Sequence, residues 1–145
     1  LQRSDKGREA RQYFIKCEET LDLLRHSKRF EAFLKLVSTK KRLQQNILDI
    51  GGSDEDFIQV DLEGRKILFN GNPIPDDELP TLTLKGRDFA TALTNEEFTK
   101  DGMTLAAAMQ KNKDYHQEVR SLNEESTNKK PEALPNGNKL KKLGE

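Results

Sequence analysis

The chain has 145 residues and carries 25 Lys plus Arg against 25 Asp plus Glu, a formal charge of zero with 34% of all residues charged. That balance excludes a uniformly basic nucleic-acid protein, and the low apolar content, 33% with no Trp, excludes one large core built from the whole chain. What remains is a single small domain, mainly α, with extended ends.

The lone cysteine, Cys17, cannot form an internal disulfide, and with only His26 and His116 beside it there is no Cys/His set at metal-ligand spacing. A reducing, cytoplasmic setting is the expectation. No stretch approaches the roughly 18 apolar residues that cross a bilayer, and the opening LQRSDKGREA has no signal-peptide core. The chain opens on Leu1 rather than Met, which points to further sequence upstream. Charge is uneven along the chain: residues 1–50 sum to +5, residues 51–100 to −6 and residues 101–145 to +1. The basic first third and acidic middle can attract each other within the fold or face separate partners.

From Glu9 to Leu24 the residues Ala10, Tyr13, Phe14, Cys17, Leu21 and Leu24 recur at spacings of three and four, the pattern of one helical stripe. A second helix is predicted after Ser27, as N-cap, to about Ile50, where Gly51-Gly52 stops it. The short His26-Ser27 break predicts that these two helices pair as an antiparallel hairpin. Over Phe57 to Phe69 the period changes, since Ile58, Val60 and Leu62 alternate with polar residues and Glu63-Gly64 follows, which reads as a small β-hairpin leaning on the helices. Pro73, Pro75 and Pro80 make residues 70–80 a loop.

Helix is expected again near Gly86, with Phe89, Ala92 and Leu93 as its stripe, and Thr94-Asn95-Glu96-Glu97 reads as a capping box able to restart it. A last helix, about Thr104 to Glu125, carries Leu105, Met109, Tyr115, Val119 and Leu122 near one face. From Ser126 onward the Lys-, Asn-, Pro- and Gly-rich run reads as a flexible basic tail, with Lys129, Lys130, Lys139, Lys141 and Lys142. The predicted architecture is therefore a helical hairpin plus two further helices, a small β-hairpin and that tail. Residues 1–125 form the mainly helical domain, and 126–145 the tail.

Few residues offer catalytic chemistry. There is no Gly-x-Ser-x-Gly, no phosphate-binding glycine loop and no His-Glu-x-x-His, so no enzyme class, cofactor or small-molecule substrate is expected. The acidic clusters Asp54-Glu55-Asp56 and Asp76-Asp77-Glu78 lack the calcium-loop spacing and read as solvated loops rather than as a nuclease metal centre. Cys17, on the apolar stripe, reads as a core residue. His26 and His116 read as surface residues. Arg25, Lys28, Arg29, Lys35, Lys40, Lys41 and Arg42 are opposed within residues 25–42 only by Glu31, so they are the candidate nucleic-acid contacts, a solvated helix face being the plainer alternative.

The residues Asp5-Lys6-Gly7, Ala10-Arg11 and Tyr13-Phe14-Ile15, within Gln2 to Glu18, resemble the helix that closes the N-terminal DNA-binding or regulatory domain of phage antirepressors. Leu79 to Asn95 (LPTLTLKGRDFATALTN), His116 to Arg120 (HQEVR) and Pro131-Glu132-Ala133-Leu134-Pro135 with its Lys-Leu-Lys-Lys-Leu tail are similar to the C-terminal part of the DNA-damage-inducible protein D family. Where that family tends to have a Gly-rich turn this chain has Ser126-Thr127-Asn128-Lys129. The resemblance implies a non-enzymatic bacterial or prophage regulator of the DNA-damage (SOS) response that binds DNA or a recombinase or repressor protein, and it makes residues 1–24 the end of a truncated N-terminal domain. A rival from another class is an oligomerisation or protein-interaction module whose interface is the Ala10–Leu24 stripe, with no DNA contact of its own.

Overall fold

The computed structural model describes residues 2–135. It has four α-helices in the order α1 (Gln2–Asp49), α2 (Asp54–Leu68), α3 (Thr81–Glu97) and α4 (Leu105–Thr127), with one-turn 3₁₀ segments at Asp76–Glu78 and Pro131–Ala133. Helix α1 packs against α3, α2 against α4, and α3 against α4. The mainly α expectation holds, but among the described residues there is no β-strand.

Two corrections follow from this. The helical hairpin does not exist, because α1 runs unbroken through His26 and Ser27 for 48 residues. Between Gly7 and Gly51 the sequence has neither Gly nor Pro, and a serine inside a helix costs only about 0.5 kcal/mol relative to alanine. A weak N-cap signal without a breaker does not interrupt a helix. Gly51, at φ +92°, ends α1 where the sequence puts its end.

The β-hairpin is likewise replaced, by α2. Ser53 caps this helix: its Oγ accepts from the Asp56 amide at 3.2 Å while the Asp56 carboxylate accepts from the Ser53 amide at 2.8 Å. Asp54, Glu55 and Asp56 complement the helix dipole in the first turn and Arg65 and Lys66 do so in the last. The acidic cluster is thus a helix start. The buried positions Val60, Asp61, Gly64 and Leu68 recur at helical spacing, whereas Ile58, one of the three residues of the supposed alternation, is 56% exposed.

Helix α3 begins at Thr81, directly after Pro80, rather than near Gly86, and Thr94 does not restart it. Thr94 is fully buried, donating to Ala90 O at 3.0 Å, with Asn112 Oδ1 2.9 Å from its hydroxyl. Helix α4 starts where expected, with Thr104 as its N-cap, but its buried row is Ala108, Asn112, His116 and Arg120, while Leu122 is 61% exposed. The expected tail begins inside α4, whose Asn128 cap is left-handed, and continues through the second 3₁₀ turn. There Pro131 is buried and Glu132 pairs with Arg120 at 2.6 Å. Lys139, Lys141 and Lys142 lie outside the described residues.

Two apolar clusters make the core. Ala32 and Leu36 of α1 meet Leu68, Phe69, Leu79 and Leu84, and farther along α1 Leu43 and Ile47 meet Val60. Lys40 falls between the two clusters on the α1 sequence. The first half of α1 has no such contacts: Tyr13 is 65% and Phe14 63% exposed. Its apolar stripe, Cys17 included, is therefore not core but the side of an arm extending from a four-helix head.

Candidate functional site

Two charged features stand out, one buried and one exposed. The buried one centres on Arg87, whose whole side chain is inaccessible. Its Nε donates to Asp76 Oδ1 at 2.9 Å, and its Nη2 reaches Asp76 Oδ2 at 2.8 Å and Asp61 Oδ1 at 2.9 Å. Lys40 closes the other side, 3.3 Å from Asp61 and 2.9 Å from Asp76. One guanidinium and one ammonium thereby join α1, α2, α3 and the first 3₁₀ turn.

Burial by itself would raise the Asp76 carboxyl, but Arg87 and Lys40 outweigh it and hold Asp76 well below the usual carboxylate range. Asp61 is lowered too, against burial and the neighbouring Asp76 charge, by Arg87 and Lys40. Arg87, which burial alone would destabilise as a cation, is raised by its two carboxylates.

His116, expected on the surface, completes this cluster. Its Nδ1 lies 2.7 Å from Asn112 O and its Nε2 3.1 Å from Arg87 Nη1. A carbonyl only accepts and a guanidinium only donates, so His116 is the neutral tautomer with hydrogen on Nδ1. Burial, reinforced by the Arg87 charge, pushes it down to about 3. The carboxylates are committed to the cations and the imidazole to Asn112 and Arg87, so the cluster works as an internal pin. Among the described residues no group of His, Cys, Asp and Glu is placed to hold a metal ion, and no helix is long and apolar enough to cross a membrane.

The exposed feature is the basic side of α1, which the structure divides. Lys40 belongs to the pin. Arg29 is turned inward as well, donating to Leu79 O at 2.9 Å and Asp77 O at 3.0 Å, and burial lowers it below its ordinary value. Arg25, Lys28, Lys35, Lys41 and Arg42 remain exposed. Lys28, Lys35 and Arg42 are seven residues apart, so they share one side of the helix at intervals of about 10.5 Å. None of the three makes an ion pair with another described residue. Lys41 lies off that row. Lys28 and Lys35 also line an open groove between α1 and α3 with Lys85, Glu31 and Asp88, and Asp88 accepts from the Thr39 hydroxyl.

Sequence reasoning missed Asp61, Asp76, Arg87 and His116 as a group. The legible signal was the spacing of polar residues on α4, with Asn112, His116 and Arg120 four apart, which is concealed when only apolar periodicity is followed. Compared with protein-family models, curated proteins and solved structures, the chain matches none of them.

Proposed function

We propose that this chain is a non-enzymatic regulatory protein of the bacterial or prophage DNA-damage response, acting in the cytoplasm by binding DNA or a DNA-processing protein. The observation that carries the DNA contact is the exposed row Lys28, Lys35 and Arg42, with no carboxylate partner among the described residues. A rigid helix presenting cations at regular intervals suits a phosphate backbone, because each neutralised phosphate releases counterions. Arg25 and Lys41 add charge beside the row. Lys40 and Arg29 contribute to the head instead. The resemblance of Leu79–Asn95 and Pro131–Pro135 to the damage-inducible D family supplies the biological setting.

The test is a fluorescence titration of single- and double-stranded DNA at two salt concentrations, with the natural chain and with Lys28→Glu, Lys35→Glu and Arg42→Glu combined. Binding weakens with salt, and the variant binds all sequences less tightly alike, its salt slope falling by about 0.9 for each phosphate it no longer neutralises. Absence of binding at low salt, or unchanged affinity in the variant, contradicts the reading. These three residues lie outside the buried pin, so the head stays folded.

A second reading is favoured by a different observation, the exposed apolar side of the arm, where Phe14, Leu21 and Leu24 are 63%, 53% and 53% accessible. Under it the chain is an oligomerisation or protein-interaction module, with any DNA contact belonging elsewhere. A helix stripe of this size left in water marks a surface that another macromolecule covers.

A further inference from the structure

The interaction-module reading can be taken to a named occupant and an orientation. In the arm, Ala10, Phe14, Cys17, Leu21 and Leu24 are separated alternately by four and three residues, which is the seam of a two-stranded coiled coil. Tyr13 and Phe14 contact one another edge to face, with ring centroids 5.8 Å apart, yet both are exposed. Charges beside the seam are segregated: between residues 7 and 16 stand Arg8, Arg11 and Lys16 with Glu9, and between 17 and 24 stand Glu18, Glu19 and Asp22 with no cation.

We propose that the arm pairs with the arm of a second copy of this chain in antiparallel orientation. Setting Phe14 against Cys17 of the second copy also sets Ala10 against its Leu21, so these four seam positions cover one another, with Leu24 opposite Gly7. In heptad terms Arg11 and Glu18 occupy the same flanking position, one turn-pair apart. Antiparallel pairing brings Arg11 beside Glu18 of the second copy, and symmetry repeats the contact. A parallel, in-register pair places the cationic ends together and the acidic ends together, and leaves Arg11 without Glu18. Charge complementarity therefore selects the antiparallel form, with the two heads at opposite ends of the paired arms. This inference rests on the interaction-module reading and leaves the Lys28, Lys35 and Arg42 row to be tested separately.

The experiment uses the full chain. Sedimentation velocity over a concentration series shows a monomer–dimer equilibrium, and Leu21→Asp with Leu24→Asp gives a monomer whose circular dichroism retains the helical head. Orientation is read by mixing Ala10→Cys and Leu21→Cys chains, each also carrying Cys17→Ser, and oxidising them. The expected product is the 10-to-21 mixed disulfide. Glu18→Arg weakens the dimer about tenfold, since two symmetric contacts turn from attraction to repulsion, and adding Arg11→Glu restores it. A dimer yielding only 10-to-10 and 21-to-21 bonds overturns the orientation while leaving the interaction module standing. A strict monomer at all concentrations overturns the pairing of arms and leaves the stripe to a different protein, and a dimer that survives Leu21→Asp and Leu24→Asp overturns the proposal by placing the contact outside the arm.

Discussion

His116 shows most directly how a single residue links burial to solution behaviour. Held neutral between Asn112 O and Arg87, it is pushed down to about 3, against an ordinary value of 6.5. Between those two values the unfolded chain binds a proton that the folded chain refuses, so folding stability rises with pH across that window. The contribution is fully present above about 6.5 and is lost as pH falls toward 3, with a limiting slope of about 1.4 kcal/mol per pH unit. Asp61 and Asp76, both lowered, act in the same direction, but only below the unfolded carboxyl value of about 4. Urea unfolding measured from pH 7 to pH 4 separates them: the natural chain loses stability from pH 6.5 downward, and His116→Gln flattens the curve between pH 6 and pH 4.5. An unchanged slope in that variant contradicts the neutral, pinned imidazole.

Among the elements, the crossing of α2 over α4 depends on Gly64. A Cβ there would lie 2.5 Å from Asn112 Nδ2 and 2.7 Å from His116 Nδ1. Neither neighbour is free to retreat, since Asn112 donates to Val60 O at 2.9 Å and His116 is held at both ring nitrogens. Alanine favours a helix over glycine by about 1 kcal/mol, while overpacking against fixed groups costs about 1–3 kcal/mol. Gly64→Ala is therefore destabilising by up to about 2 kcal/mol net, measurable as a lower denaturation midpoint; a raised midpoint would show that α2 and α4 do not approach so closely.

The same glycine shows where sequence reading succeeded and failed. Helix ends such as the stop at Gly51 and the start of the last helix near Thr104 were legible. Gly64 read as a turn because glycine permits one, and only the approach of α4 reveals its use as a helix-crossing residue. Ser27 read as a cap, although caps need a preceding break and α1 has none. On α3 and α4 the buried faces carry Arg87, Thr91, Thr94, Asn112 and His116, so a search for apolar stripes followed partly exposed residues instead. Of the candidate basic residues, the exposed row was readable from spacing. The inward turn of Arg29 and Lys40 was not, because it depends on groups far along the chain: the Asp77 and Leu79 carbonyls for Arg29, and Asp61 and Asp76 for Lys40.

At the scale of the whole molecule, one helix serves two purposes. Its second half closes the head through Leu36, Leu43, Ile47 and Lys40, and its first half extends past the head as an arm. The basic row begins where the apolar stripe ends, so a rod that bends or breaks at Ser27 would separate the two surfaces, and a hairpin would bury the stripe against α1 itself. The interaction-module reading depends on continuity from Ala10 to Gln45, which keeps the stripe exposed and at a fixed distance from the basic row.

A distance measurement by pulsed electron spin resonance tests that continuity most directly. Spin labels at Ala10→Cys and Gln45→Cys in a Cys17→Ser chain, diluted with unlabelled protein to suppress contacts between copies, report the separation within one molecule. A continuous α1 predicts a single narrow distribution near ~52 Å, from about 1.5 Å rise over the intervening residues. A distribution centred below about 25 Å would return the chain to an antiparallel hairpin and contradict the account, because stacked antiparallel helices bring such positions within a few turns of each other.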